Sequence, residues 1–150
     1  MRSVIQRVSK AQVEVSNKVI GKIGHGYMIL LGVELEDTLD DVKWLTEKIC
    51  KLRLFDDEEG KMNLNIKDVH GNILVISQFT LHAKTKKGNR PSYIKAARPD
   101  QANHLYENFI DQMFHLIDQP IQSGEFGAHM NITQTNDGPV TIIIDTKNKE

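Results

Sequence analysis

Two short apolar runs constrain this chain more than anything else in it. "YMILLGV", Tyr27 to Val33, carries no charged residue and does not alternate. A strand of that kind has to be covered on both faces. "NILVISQFTL" is the strongest strand signal and predicts a strand over Ile73 to Leu81. Both runs fall far short of the ~20 residues a membrane-crossing helix needs, so they belong to the middle of a packed domain.

The rest of the pattern supplies the covering layers. "EDTLDDVKWLTEKICKLRLF" places Val42, Leu45, Ile49 and Leu52 at spacings of three and four, one face of a helix. Thr38 with Asp41 three residues on resembles a capping box. Pro99 suits the first turn of a second helix, with Ala102, Leu105, Phe109, Met113 and Phe114 as its apolar face and an end before Pro120. The opening stretch alternates, Val4, Gln6 and Val8 against Ile5 and Arg7. "GEFGAHMNITQTN" and "PVTIIIDT" read as two further strands around a turn at "NDGP", and "DDEEGKMN" reads as a polar turn. The fold class is therefore α/β: one domain, residues 1–146, of mixed, largely antiparallel sheets with two main helices. Residues 147–150 are expected to fray.

At 150 residues the chain can bury a real core. A formal net charge of −1 argues against coating long nucleic acid by bulk charge, although it allows contact with a short end. The single cysteine, Cys50, permits no intrachain disulfide and is expected beside the core. With no apolar leader read at the start, the cytoplasm is the expected compartment, with no membrane partner and no DNA partner.

Conventional catalytic sets are missing. There is no HExxH, CxxC or GxSxG, and no glycine-rich phosphate loop. Two features stand out instead. In "SQFTL", Ser77, Gln78 and Thr80 interrupt an apolar run, and alternation would put Ser77 and Phe79 on one face, Gln78 and Thr80 on the other. Polar residues at a strand end are either satisfied locally or line a pocket of hydroxyls and backbone N–H groups that can hold an oxyanion. In "NDGPVTIIID", a Gly-Pro pair stands at the mouth of a β-prone run. It is either a rigid corner or backbone used as a tool.

Together these residues carry a resemblance. The chain resembles the D-aminoacyl-tRNA deacylase family, also called D-tyrosyl-tRNA deacylase, through "QRV", "LLGV", "KICKLRLFDDEEGKMN", "SQFTL", "KGNRPS", "LYENF", "GEFGAHM" and "NDGPVT", in order, to about Thr146. The resemblance implies a barrel-like sheet and a homodimer. It implies hydrolysis of the ester between a D-amino acid, or glycine mischarged on tRNA(Ala), and the 3′-terminal ribose of tRNA. No cofactor and no metal are implied. Gly138–Pro139 would be a cis pair that enters the partner's pocket and rejects L-substituents by steric clash. Ser77, Gln78, Phe79 and Thr80 would form the floor, Phe79 and Met130 would receive the terminal adenine, and Arg7 would tie down the Gly-Pro loop. Thr80 is either the nucleophile or part of the oxyanion site. With no base in view for its hydroxyl, attack by water aided by the substrate's 2′-hydroxyl suits these residues better. Lys84, Lys86, Lys87 and Arg90 would meet acceptor-stem phosphates. His129 stands where the family commonly has an acidic residue.

Overall fold

The computed structural model describes residues 1–150. In chain order the elements are β1 (Arg2–Val15), β2 (Lys18–Ile23), β3 (Gly26–Gly32), α1 (Leu39–Lys51), β4 (Arg53–Asp56), β5 (Met62–Asn65), β6 (Asn72–Ser77), a 3-10 turn (Phe79–His82), α2 (Pro99–Ile117), β7 (Gln122–Ser123) and β8 (Asn131–Asp145). The two apolar runs became neighbours: β3 and β6 pair in parallel, Tyr27 opposite Ile73 and Leu31 opposite Ser77. Successive side chains of a strand point to opposite faces, and here both faces are covered. Tyr27, Ile29, Leu31, Ile73 and Val75 join Val42, Leu45 and Ile49 of α1 and Leu105, Phe109 and Met113 of α2 in the main core. Met28, Leu74 and Ile76 point the other way, into a smaller core with Val8, Ala11, Val13 and Ile23. Each such side chain, once fully buried, stabilises by about 1.5–3 kcal/mol relative to exposure.

The long strand β1 ties the sheet together. Antiparallel to it, β3 pairs with its first half and β2 with its second, while β8 runs along nearly the whole of its other edge. The sheet then curls back on itself. Gly21 of β2 comes so close to β7 that a Cβ there would lie 3.1 Å from the Ser123 carbonyl oxygen and 3.3 Å from Leu74 Cδ1. The result is the expected mixed, nearly closed, barrel-like sheet with two main helices.

Both helices start as the sequence requires. The Asp41 carboxylate accepts the Thr38 N–H at 2.9 Å, reciprocating the cap at the head of α1. Pro99 opens α2, and Asp118 closes it in the left-handed conformation at φ 54°. Tyr106 of α2 donates its hydroxyl to the Val75 carbonyl at 2.8 Å, fixing the helix against β6. No helix is long and apolar enough to cross a membrane.

Four sequence expectations need correction. The strand expected over Ile73–Leu81 ends at Ser77, and Phe79–His82 form a 3-10 turn, so the alternation assigned to Ser77 through Thr80 does not hold. The last two strands are one: β8 runs straight through Asn136–Thr141, and residues 124–130 of "GEFGAHM" precede it as turn and loop. Phe114, placed on the buried face of α2, is 42% exposed, and Tyr106 and Ile117 take that role. The stretch 147–150 is not wholly loose, since Lys147 Nζ lies 2.9 Å from Asp41 Oδ2.

Candidate active site

The end of β6 and the turn after it open onto a cavity of about 630 Å³. Its floor is Ile76, Ser77, Gln78 and Phe79; Val33, Ala96, Ala97 and Pro99 make one wall, and Phe126 to Met130 make the other. The strand stops at Ser77 because the chain turns to close a 3-10 bond pattern. Gln78 N–H still donates to the Leu31 carbonyl at 2.8 Å, whereas Leu81 N–H donates to Gln78 O at 3.3 Å and Ala83 N–H to Thr80 O at 3.1 Å. The N–H groups of Phe79 and Thr80 head this turn, where a helical turn leaves its first donors without internal acceptors.

Inside that frame the polar groups are few. Gln78 Nε2 donates to the Thr80 hydroxyl oxygen. The hydroxyl therefore meets an N–H donor, and no imidazole or carboxylate is within bonding distance of it to take a proton. Phe79 is 57% exposed at the mouth, and its ring meets Tyr93 edge-on with centroids 5.0 Å apart. Burial pushes the Tyr106 phenol at the back of the cavity up to about 12, against hydrogen bonds with Ser123 and Gly124 that pull it down. It is a neutral donor at any ordinary pH.

The other expected residues form a second cluster. β8 swells where it passes Arg7: Gln6 pairs with Thr141 and Val8 with Asn136, so Asp137 to Val140 stand opposite a single residue of β1. Gly138–Pro139 lies at the crest of this bulge and is a cis peptide, with Gly138 at φ +131°. Arg7 holds it down. The buried guanidinium donates Nε to the Asp137 carbonyl at 3.1 Å and Nη1 to the Leu54 carbonyl at 2.7 Å. The Asp137 carboxylate lies 3.3 Å from Nε, and His25 Nε2 approaches it from the other side at 3.6 Å. Arg7 is a buried guanidinium that bonds two backbone carbonyls and also faces the exposed carboxylates of Asp137 and Asp56.

Of the residues singled out in the sequence, Ser77, Gln78, Phe79 and Met130 line the cavity, with Thr80 in the adjoining turn. Gly138, Pro139 and Arg7 do not line the cavity of their own chain. Tyr93, Tyr106, Phe126 and the Ala96–Ala97 wall were missed. Ala102 was read on the helix face, and Tyr106, four residues on, shares that face, but nothing local marks Tyr93, which lies in a loop. His129 lines the rim. Cys50 is buried against Met113, its Sγ 3.9 Å from the Met113 sulfur.

A one-domain α/β fold with a largely apolar cavity, floored by the end of a buried strand and opening beside unpaired turn N–H groups, is an architecture that can hold an oxyanion without a catalytic base. The D-Tyr-tRNA(Tyr) deacylase family profile matches residues 4–145. Proteins described as D-aminoacyl-tRNA deacylase from Bacteroides fragilis and Flavobacterium psychrophilum are 56% and 53% identical over 150 residues, covering both chains completely. A solved structure described as c-Myc DNA unwinding element binding protein superposes with a TM-score of 0.91 at 40% identity, over 97% of this chain and 98% of that one. One described as a probable eukaryotic D-amino acid tRNA deacylase shares the fold, with a TM-score of 0.81 at 17% identity over 95% and 97% of the two chains. The chain belongs to the D-Tyr-tRNA(Tyr) deacylase family, whose members are ester hydrolases acting on aminoacyl-tRNA.

Proposed function

We propose that this chain is a D-aminoacyl-tRNA deacylase that works as a homodimer, with Gly138–Pro139 of one protomer reaching into the cavity of the other. The observation that carries this reading is the separation of its parts. The Gly-Pro crest is built and clamped by Arg7, yet it has no part in the cavity of its own chain. The free edge of β8, with Ile132 and Ile143 exposed on that strand, offers a surface for a second copy.

In this reading the ester carbonyl sits at the N–H groups of Phe79 and Thr80, which stabilise the negative charge that develops there. Water attacks, assisted by the 2′-hydroxyl of the terminal ribose. Thr80 shapes the site rather than attacking, because its hydroxyl meets a donor and no base. The terminal adenine lies against Phe79 and Met130. A substituent on the L-face of the substrate's α-carbon collides with the Gly-Pro backbone, while hydrogen fits. A thousand-fold preference corresponds to about 4 kcal/mol. Because backbone does the rejecting, the range extends over many D-amino acids and to glycine on tRNA(Ala). Lys84, Lys86, Lys87 and Arg90, all exposed on one loop, reach acceptor-stem phosphates. The charge of −1 suits a grip on one RNA end in the cytoplasm and disfavours duplex DNA as the ligand.

The test is hydrolysis of matched D- and L-tyrosyl-tRNA, with Thr80→Ala alongside. Loss of the D-ester alone is expected, with Thr80→Ala keeping most activity. Cleavage of both esters alike would overturn the chiral filter. Binding of charged tRNA without cleavage would make the chain a binding module.

A further inference from the structure

His82 closes the 3-10 turn from below and has no part in the chemistry just described. Its side chain is 1% exposed, and Nδ1 lies 3.4 Å from Glu34 Oε2, on a side chain that is 11% exposed. A carboxylate only accepts, so the contact is favourable when Nδ1 carries a proton. The other ring nitrogen, Nε2, is buried with no partner. The ring is packed over the end of β3: a Cβ on Gly32 would come within 3.0 Å of His82 Cδ2 and 3.0 Å of the Gln78 carbonyl oxygen. The histidine is therefore wedged beneath the turn that presents Phe79 and Thr80.

Glu34 belongs to the opposite side of the cavity. Its backbone bridges Ala96, while Leu35 N–H donates to Lys95 O and Ala97 N–H to Val33 O, each at 3.0 Å. Val33, Ala96 and Ala97 are the cavity wall. Glu34 is fixed in turn, its N–H donating to the buried Asp37 carboxylate at 2.7 Å. One side chain thus joins the wall, through the Glu34 backbone, to the floor, through His82.

We infer that His82 and Glu34 form a brace that sets the gap between the turn bearing Phe79 and Thr80 and the Val33–Ala96–Ala97 wall, which makes both of them positioning residues for ester hydrolysis. The inference rests on the deacylase reading. Small displacements of positioned groups cost rate heavily, about 10²-fold for 1 Å, whereas substrate affinity, spread over the whole cavity and the tRNA, changes little.

The experiment uses the full chain, with D-tyrosyl-tRNA as substrate and His82→Ala, His82→Gln, His82→Phe and Glu34→Ala as variants. His82→Ala and Glu34→Ala are expected to lower kcat roughly ten-fold or more with KM within about two-fold. His82→Gln, which keeps a donor for Glu34, restores most of the loss. His82→Phe, which fills the space without a donor, does not. A kcat within two-fold of wild type in both alanine variants, or equal recovery by Phe and Gln, overturns the brace. Glu34→Ala leaves the His82 ring in place beneath the turn and decides the matter if His82→Ala misfolds. Amide exchange on the same proteins separates this inference from the deacylase reading. If wild type cleaves neither ester, at least ten-fold faster exchange at Leu81 and Ala83 in the alanine variants, with α2 unchanged, supports the brace. Unchanged exchange at those two amides overturns it.

Discussion

Arg7 reaches Asp137 across 130 residues of chain, its Nε donating to the Asp137 carbonyl oxygen at 3.1 Å. With the second bond to Leu54 O at 2.7 Å, one guanidinium holds the β8 bulge and the β4–β5 hairpin in fixed relation. The planar fork of arginine makes both bonds at once, which an ammonium cannot reproduce. Arg7→Lys is expected to lower kcat/KM for the D-ester at least ten-fold while the protein still folds. Arg7→Ala, which leaves two carbonyls without a charged donor, is expected to cost about 2–4 kcal/mol in chemical denaturation. A lysine variant with wild-type kinetics would remove the tether from the functional argument.

Gly138 occupies a backbone conformation that a side chain rarely adopts. At φ +131°, a Cβ there would lie 2.8 Å from Val140 N and 2.9 Å from Val140 Cγ2. Gly138→Ala should therefore cost roughly 1–3 kcal/mol and reshape the crest. The expected result is loss of D-ester cleavage, or a rise in L-ester cleavage, with circular dichroism unchanged. Intact D-over-L discrimination would show that this residue does not set chirality.

Acid should loosen the seam between β8 and its neighbours. Burial alone would raise the Asp145 pKa, but hydrogen bonds from Arg2 and the Lys147 N–H outweigh it and hold the carboxyl below its ordinary value. Asp41 is lowered in the same way, burial being outweighed by bonds from Thr146, Lys147 and the Thr38 backbone. A carboxyl depressed in the folded state contributes stability above its unfolded pKa of about 4, and that contribution is lost as pH falls through the folded value. Urea midpoints should thus hold from pH 7 to 5 and fall below pH 4. Asp145→Asn should be less stable at pH 7 and show a shallower acid limb. An acid limb unchanged in Asp145→Asn would assign the loss to other carboxyls.

Cys50 should be inert. Burial pushes its thiol up to about 11, against the pull of Lys67 and Lys51. A protonated thiol is a poor nucleophile. Cys50→Ala is expected to leave deacylation within two-fold, and native protein should resist thiol alkylation at pH 8. Inactivation by either treatment would point to a cysteine mechanism instead.

Much of this architecture could be read in advance because period and burial agree. Val42, Leu45 and Ile49 repeat at helical spacing and all meet the core. Tyr27 to Leu31 lack alternation and are covered on both sides. The failures lie where long-range contacts override local pattern. Ser77 to Leu81 look like strand, but the chain turns over Phe79–His82, with the His82 ring packed on Gly32 at the end of β3. "NDGP" has the chemistry of a hairpin, yet β1 runs beside it without a break, so the surplus residues bulge instead of reversing. Phe114 follows Met113 directly, about 100° further round the helix, which carries it off the buried stripe of Ala102, Leu105, Phe109 and Met113. The Gly-Pro crest and the cavity floor were both legible as motifs. That they stand apart within one chain was not, because it depends on how β8 is laid against β1.

The pairing of β1 with β8 also dictates how this chain must come together in time. Arg2 bonds to Asp145, a separation of 143 residues, and that register continues along most of both strands. Contacts so distant in sequence are slow to form, because a large loop has to be closed before they return any stability. Until β8 arrives, one edge of the longest early strand stays open, a template for any other extended chain. Assembly of the sheet is therefore gated by its two most distant strands, and it is in that interval that aggregation competes with folding.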